Sequence, residues 1–183
     1  VSASRLVKAK GVLAFAEAAR LIATRFPGRA RFRLAGYEAP GEPDGVTPAE
    51  IATLKADPAI DWLGRVAPDD MPGLMRRTDI FVLPTRYPEG LPRSCLEAGA
   101  CGAAVVAGDV AGTRALIDHG RDGLLLADPT GPALAEVIGG LLEDASRRRA
   151  LGAALRAKIE TEGYALEAIT EAFLRLYGSS AAD

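Results

Sequence analysis

The chain has 183 residues, 49% of them hydrophobic and 25% charged, with a formal net charge of −2. That suits one soluble globular domain, or one domain with an appendage, and gives bulk electrostatics no reason to recruit nucleic acid. No apolar run approaches the length that spans a bilayer, and Cys95 and Cys101 read as buried reduced thiols, which points to a reducing, cytoplasmic setting.

The chain opens on Val1 and reaches Ser4-Arg5-Leu6 with no strand predicted before the first turn, so a fragment of a longer protein is expected. Apolar residues then recur at helical spacing over Gly11–Phe26, and Pro27-Gly28 ends that helix. Phe32–Gly36 reads as a strand, and the Pro- and Gly-rich stretch Tyr37–Pro48 as a loop. A helix from Thr47 or Pro48 to Ala56 follows, then a strand over Ile60–Gly64. Next comes a short helix over Asp69–Arg77, with Asp69 or Asp70 available as its cap. Ile80–Leu83 is a short apolar run, as in a buried parallel strand, and Pro92–Ala100 is a helix with Pro92 as its first residue. Ala103–Ala107 and Gly123–Leu126 read as strands on either side of a helical turn at Thr113–Asp118. Helices over Thr130–Glu143, Ala145–Glu162 and Leu166–Tyr177 complete the chain, packed outside the sheet. Strands and helices alternating at this spacing predict an α/β fold with a Rossmann-like, doubly wound parallel sheet.

Two constellations carry chemistry. Glu89 stands in the loop after Ile80–Leu83, and Glu97 stands on the helix behind it, where the two can flank one ligand over the helix start. Arg5 and Lys10 sit at the carboxyl end of a first strand expected to be missing. Two cations at a βα turn suit a diphosphate, because charge-assisted hydrogen bonds are the strong ones. Taken singly, each pair reads better as solvated surface charge. No Gly-x-Gly-x-x-Gly fingerprint is present, which disfavours a dinucleotide enzyme. One histidine and two cysteines cannot assemble a zinc site at plausible spacing, and Asp57, Asp61, Asp69, Asp70 and Asp79 read as caps and turn residues. His119 reads as an exposed turn residue, Trp62 as packing, and Arg147-Arg148-Arg149 as a solvated face.

Together the motifs resemble the C-terminal, donor-binding half of the family 4 (group 1) retaining glycosyltransferases of the GT-B fold. The Glu-x7-Glu element stands here as Glu89-Gly90-Leu91-Pro92 through Glu97-Ala98. The Gly-Arg-Leu…Lys-Gly element looks like Ser4-Arg5-Leu6…Lys10-Gly11. Leu63-Gly64-Arg65-Val66 resembles the base-contacting turn, and Asp118 through Leu125 resembles the Asp-Gly-x-x-Gly-Leu-Leu element. Gly99, Ala104 and Ala115 depart from the usual methionine, proline and acid.

The resemblance implies a catalytic group of Glu89, Arg5 and Lys10, with the two cations stabilising the diphosphate leaving group and Glu89 holding donor-sugar hydroxyls. It implies donor binding by Gly90, Leu91, Arg93 and Ser94 around the phosphates, by Glu97 at the ribose hydroxyls, and by the backbone of Arg65 and Val66 at the base. Its substrates would be a nucleotide-diphosphate sugar, with uridine as the base, and a saccharide or lipid-linked acceptor in polysaccharide biosynthesis. The acceptor would be held by an N-terminal domain expected to be absent, and the full-length enzyme could touch a membrane peripherally. No cofactor or essential metal is expected, and the 183 residues alone are expected to be inactive. The competing reading is a non-catalytic α/β nucleotide-binding or interaction module.

Overall fold

The structure is a computed structural model that describes residues 1–39, 41–88, 90–162 and 164. Its elements in chain order are β1 (Ser2–Leu6), α1 (Val12–Arg25), β2 (Phe32–Glu38), α2 (Pro48–Ala56), β3 (Ile60–Gly64), α3 (Met71–Met75) and β4 (Ile80–Leu83). They continue with α4 (Arg93–Ala100), β5 (Ala104–Gly108), α5 (Ala111–Arg114), β6 (Leu124–Leu126), α6 (Gly131–Glu143) and α7 (Ala145–Thr161). The helix expected over Leu166–Tyr177 lies outside the described residues. No described helix is long and apolar enough to cross a membrane.

All strand pairs are parallel, in two three-stranded sheets ordered β1-β2-β3 and β4-β5-β6. The sheets abut at β1 and β4. The Val1 amino group donates to the Ile80 carbonyl at 2.8 Å, and the Val82 N–H donates to the Val1 carbonyl at 2.8 Å. Taken across that seam, the strands run 3-2-1-4-5-6, the order of doubly wound dinucleotide folds, with its switch point between β1 and β4.

Side-chain alternation along the strands supplies the two faces. Val82, Ala104 and Val106 join one apolar cluster with Phe15 and Ile22 of α1 and Leu134 and Leu141 of α6. Phe81, Leu83, Val105 and Ala107 join the other, with Met75, Cys95, Leu155 and Ile159. The last two described helices therefore cover opposite faces, α6 against α1 and α7 against α4 and β5. Gly99, the departure from methionine, lies where a Cβ would press on the side chains of Leu155 and Ile159, so its smallness admits α7. Ala104, the departure from proline, donates its N–H to the Asp79 carbonyl at 3.0 Å, a bond proline cannot make.

Three expectations are corrected. The first strand is present: Ser2–Leu6 pairs along its length with Leu34–Glu38 of β2. Its Ser-Ala-Ser start lacks a β-branched run, and burial between β2 and β4 overrides weak local propensity. Pro92 is the N-cap residue, extended at φ −76° and ψ 107°, and α4 starts at Arg93. Neither Asp69 nor Asp70 caps α3. Asp70 already has helical dihedrals, at the end of a 3-10 turn over Pro68–Asp70, so its carboxylate is not in capping geometry.

Candidate functional site

A cleft of about 530 Å³ opens at the carboxyl edge of the strands beside the switch point. β1 brings Ser4 and Arg5 to it, and the turn into α1 brings Lys10. Gly11 ends that turn at φ +75°, where a Cβ would meet the carbonyl of Pro84, so the turn lies tight on the end of β4. The Arg86 N–H donates to the Ala9 carbonyl at 2.7 Å, tying the loop after β4 to the same turn.

The register pairs Arg5 with Tyr37 on β2, and Tyr37, 47% exposed, forms part of the cleft wall. Arg65, just past β3, places its guanidinium 5.6 Å from the centre of the Tyr37 ring, and Val66 continues the wall. Opposite them stands the start of α4, with Pro92, Arg93, Ser94 and Glu97 on the cleft. The N-cap residue Pro92 has no side-chain group to cap that helix, and Arg93 and Ser94 of its first turn line the cleft.

Arg5, Lys10, Arg65, Val66, Arg93, Ser94 and Glu97 are thus brought together around one cavity. Leu91, 42% exposed, and Gly90 belong to the loop ahead of α4 and do not line it. Glu89 lies outside the described residues. Among the described residues, no group of three or more His, Cys, Asp or Glu comes close enough to hold a metal ion.

The cleft's charges are held by partners that sequence reasoning missed. Arg5 bonds the Glu42 carboxylate at 2.6 Å, and that neighbour holds its guanidinium above the ordinary range. The ammonium of Lys10 lies 5.0 Å from the centre of the Tyr87 ring. Arg93 and Glu97, one turn apart on α4, approach to 3.6 Å. The carboxylate of Asp44 accepts the Ala9 N–H at 2.7 Å. Tyr37 carried a weak signal, since a longer β2 would have placed it beside Arg5. Glu42 carried none, being 37 residues from its partner.

The residues named as bland behave as scaffold. His119 accepts the Leu125 N–H at 3.0 Å, Asp57 is buried and pairs with Arg20 at 3.1 Å, and neither Cys95, buried as expected, nor Cys101, only half-buried, is in a disulfide. Trp62 packs against the core with Lys55 over its ring. Asp122, only 3% exposed, takes the Asp118 N–H at 2.7 Å and pairs with Lys158 at 3.3 Å, which fixes the turn before β6.

Residues 1–144 match the family of group 1 glycosyl transferases. The chain belongs to that family. It is 36% identical over 168 residues to N,N'-diacetylbacillosaminyl-diphospho-undecaprenol alpha-1,3-N-acetylgalactosaminyltransferase of Campylobacter jejuni, covering 92% of this chain and 41% of that protein. It is 37% identical over 109 residues to the GDP-mannose-dependent monoacylated alpha-(1-6)-phosphatidylinositol monomannoside mannosyltransferase of Corynebacterium glutamicum, covering 56% of this chain and 28% of that one. Its structure matches Anabaena HepE in complex with UDP-glucose with a TM-score of 0.82 and 27% identity, over 97% of this chain and 48% of that chain. This glycosyltransferase chain thus spans less than half the length of these relatives, and its Rossmann-like fold is one shared with GT-B glycosyltransferases.

Proposed function

We propose that residues 1–183 form the donor-binding domain of a retaining glycosyltransferase that uses a nucleoside-diphosphate sugar, with uridine as the nucleoside. The observation that carries this reading is the single cleft at the switch point. There two cations at the end of β1 face the uncapped start of α4, with Glu97 one turn behind it. The diphosphate lies between Arg5, Lys10 and the first amides of α4, Glu97 accepts the ribose hydroxyls, and the wall of Tyr37, Arg65 and Val66 bounds the base.

In the reaction the bond from the anomeric carbon to the diphosphate oxygen breaks, and a bond to the acceptor oxygen forms. The acceptor hydroxyl loses its proton, and the nucleoside diphosphate departs. Arg5, Lys10 and the α4 dipole stabilise the charge that develops on the leaving group, so neither a cofactor nor an essential metal is invoked. Glu89 acts at the donor sugar. The acceptor, a saccharide or lipid-linked sugar, is held by a domain outside this chain, so these residues alone bind donor without transferring it. The setting is cytoplasmic, with peripheral membrane contact through the acceptor.

UDP is favoured by the likeness to a protein solved with UDP-glucose, while a GDP-mannose-dependent relative makes GDP the comparison to run. The alpha linkages printed in both relatives' names support retention when the donor itself is α-linked. Calorimetry with UDP, GDP and uridine tests the reading. UDP is expected to bind, and Arg5→Ala or Lys10→Ala to remove roughly 1.5–3 kcal/mol of that binding while leaving uridine unaffected. Diphosphate affinity unchanged in the double variant contradicts it.

A further inference from the structure

The loop between β2 and α2 folds back over the turn between β1 and α1 as a strap. Its backbone anchors are independent of any charge: the Val46 N–H donates to the Leu6 carbonyl at 2.9 Å, and the Lys8 N–H to the Asp44 carbonyl at 2.8 Å. Within the strap, Glu42 is fixed at both backbone groups. Its N–H donates to the Ala39 carbonyl at 3.2 Å, and its carbonyl accepts the Gly45 N–H at 3.0 Å. That turn delivers the Glu42 carboxylate to Arg5 at 2.6 Å.

We propose that Glu42 is the internal counter-ion of the diphosphate site: it holds Arg5 until a diphosphate binds, yields it to the incoming ligand, and so tunes donor affinity. The inference rests on the diphosphate role of Arg5 proposed above. The side chains of Arg5 and Glu42 are 35% and 41% exposed, so the pair is screened by water and is cheap to separate. A diphosphate carries more charge than one carboxylate and offers oxygens in the geometry a guanidinium prefers, so it wins the exchange. Glu42 then returns to water without dismantling the strap, which its backbone bonds retain. Until it is displaced, Glu42 keeps Arg5 ordered and neutralised, at a cost in donor affinity.

The test is calorimetry of UDP, GDP and uridine on residues 1–183, comparing the unaltered chain, Glu42→Gln, Arg5→Gln and the double variant. Glu42→Gln is expected to bind UDP roughly two- to ten-fold more tightly, the size expected from removing a screened ion pair that competes with the ligand for Arg5. Uridine should bind both proteins alike, and the gain should vanish in the Arg5→Gln background. UDP affinity unchanged in Glu42→Gln overturns the inference while leaving the donor-binding reading intact. A weaker affinity does the same, and makes Glu42 a positioning residue for Arg5 instead. Failure of UDP and GDP to bind any of the four proteins overturns the donor-binding reading, and the inference with it.

Discussion

The five described helices of eight residues or more start in two ways. Those that serve only the scaffold carry their own caps: Thr47 accepts the Glu50 N–H at the start of α2, Thr130 the Ala133 N–H at α6, and Asp144 the Arg147 N–H at α7. The two that start beside the cleft carry none, α1 beginning after Gly11 and α4 after Pro92. A cap answers the unpaired amides of a first turn from within the chain, so an uncapped helix is left with donors and a dipole end for something else. On the proposed reading, the difference separates helix starts that contribute stability from those left open to the donor diphosphate.

The strongest way to break that distinction is at Gly11. Its φ of +75° and the Pro84 carbonyl where a Cβ would sit make Gly11→Ala cost roughly 2–4 kcal/mol of stability. Urea unfolding measures it, and a loss below about 1 kcal/mol means the turn is not pressed on β4 as described. The distinction sharpens at α4 when a cap is supplied. Compared with Pro92→Ala, Pro92→Asp should be about 1 kcal/mol more stable and bind UDP roughly ten-fold more weakly, because its carboxylate occupies the amides meant for phosphate. The reverse change, Asp144→Ala at α7, should cost about 1 kcal/mol of stability and leave UDP affinity where it was.

The smallest effect is a pH dependence at α2. Hydrogen bonds from Thr47, with a contribution from Lys8, hold the Glu50 carboxyl down at about 2 from an ordinary 4.5. The native state thus binds fewer protons than the unfolded chain across that window. The contribution is fully present above pH 4.5 and disappears as pH falls through about 2. Glu50→Gln should flatten the urea midpoint over this window, and an unchanged slope would place the acid sensitivity elsewhere.

Much of this was legible in the sequence, and the lapses share a cause. β3 and β4 have the bounds that composition and turn signals predict, and seven of the ten proposed site residues line one cleft. Missing β1 was the consequential lapse. Its small residues form a strand because β2 and the start of β4 hold it from both sides, a tertiary effect that no local pattern reveals. Without β1, β2 appeared to end at Gly36, and Tyr37, paired with Arg5, was assigned to a loop. Glu42 was hidden for the same reason, because only the folded strap brings it to the end of a strand that had not been recognised. Motif spacing picks out charges that line one cleft, but the partners that hold them come from long-range contacts.

The central claim is that the uncapped start of α4 and the end of β1 form one diphosphate site. Amide chemical shifts recorded while UDP is added to ¹⁵N-labelled protein test it most directly. The account predicts the largest changes at Arg93, Ser94, Arg5 and Lys10, with Ala133 and Arg147 at the capped starts of α6 and α7 unmoved. Changes confined to other residues, or spread equally over capped and uncapped helix starts, would contradict it.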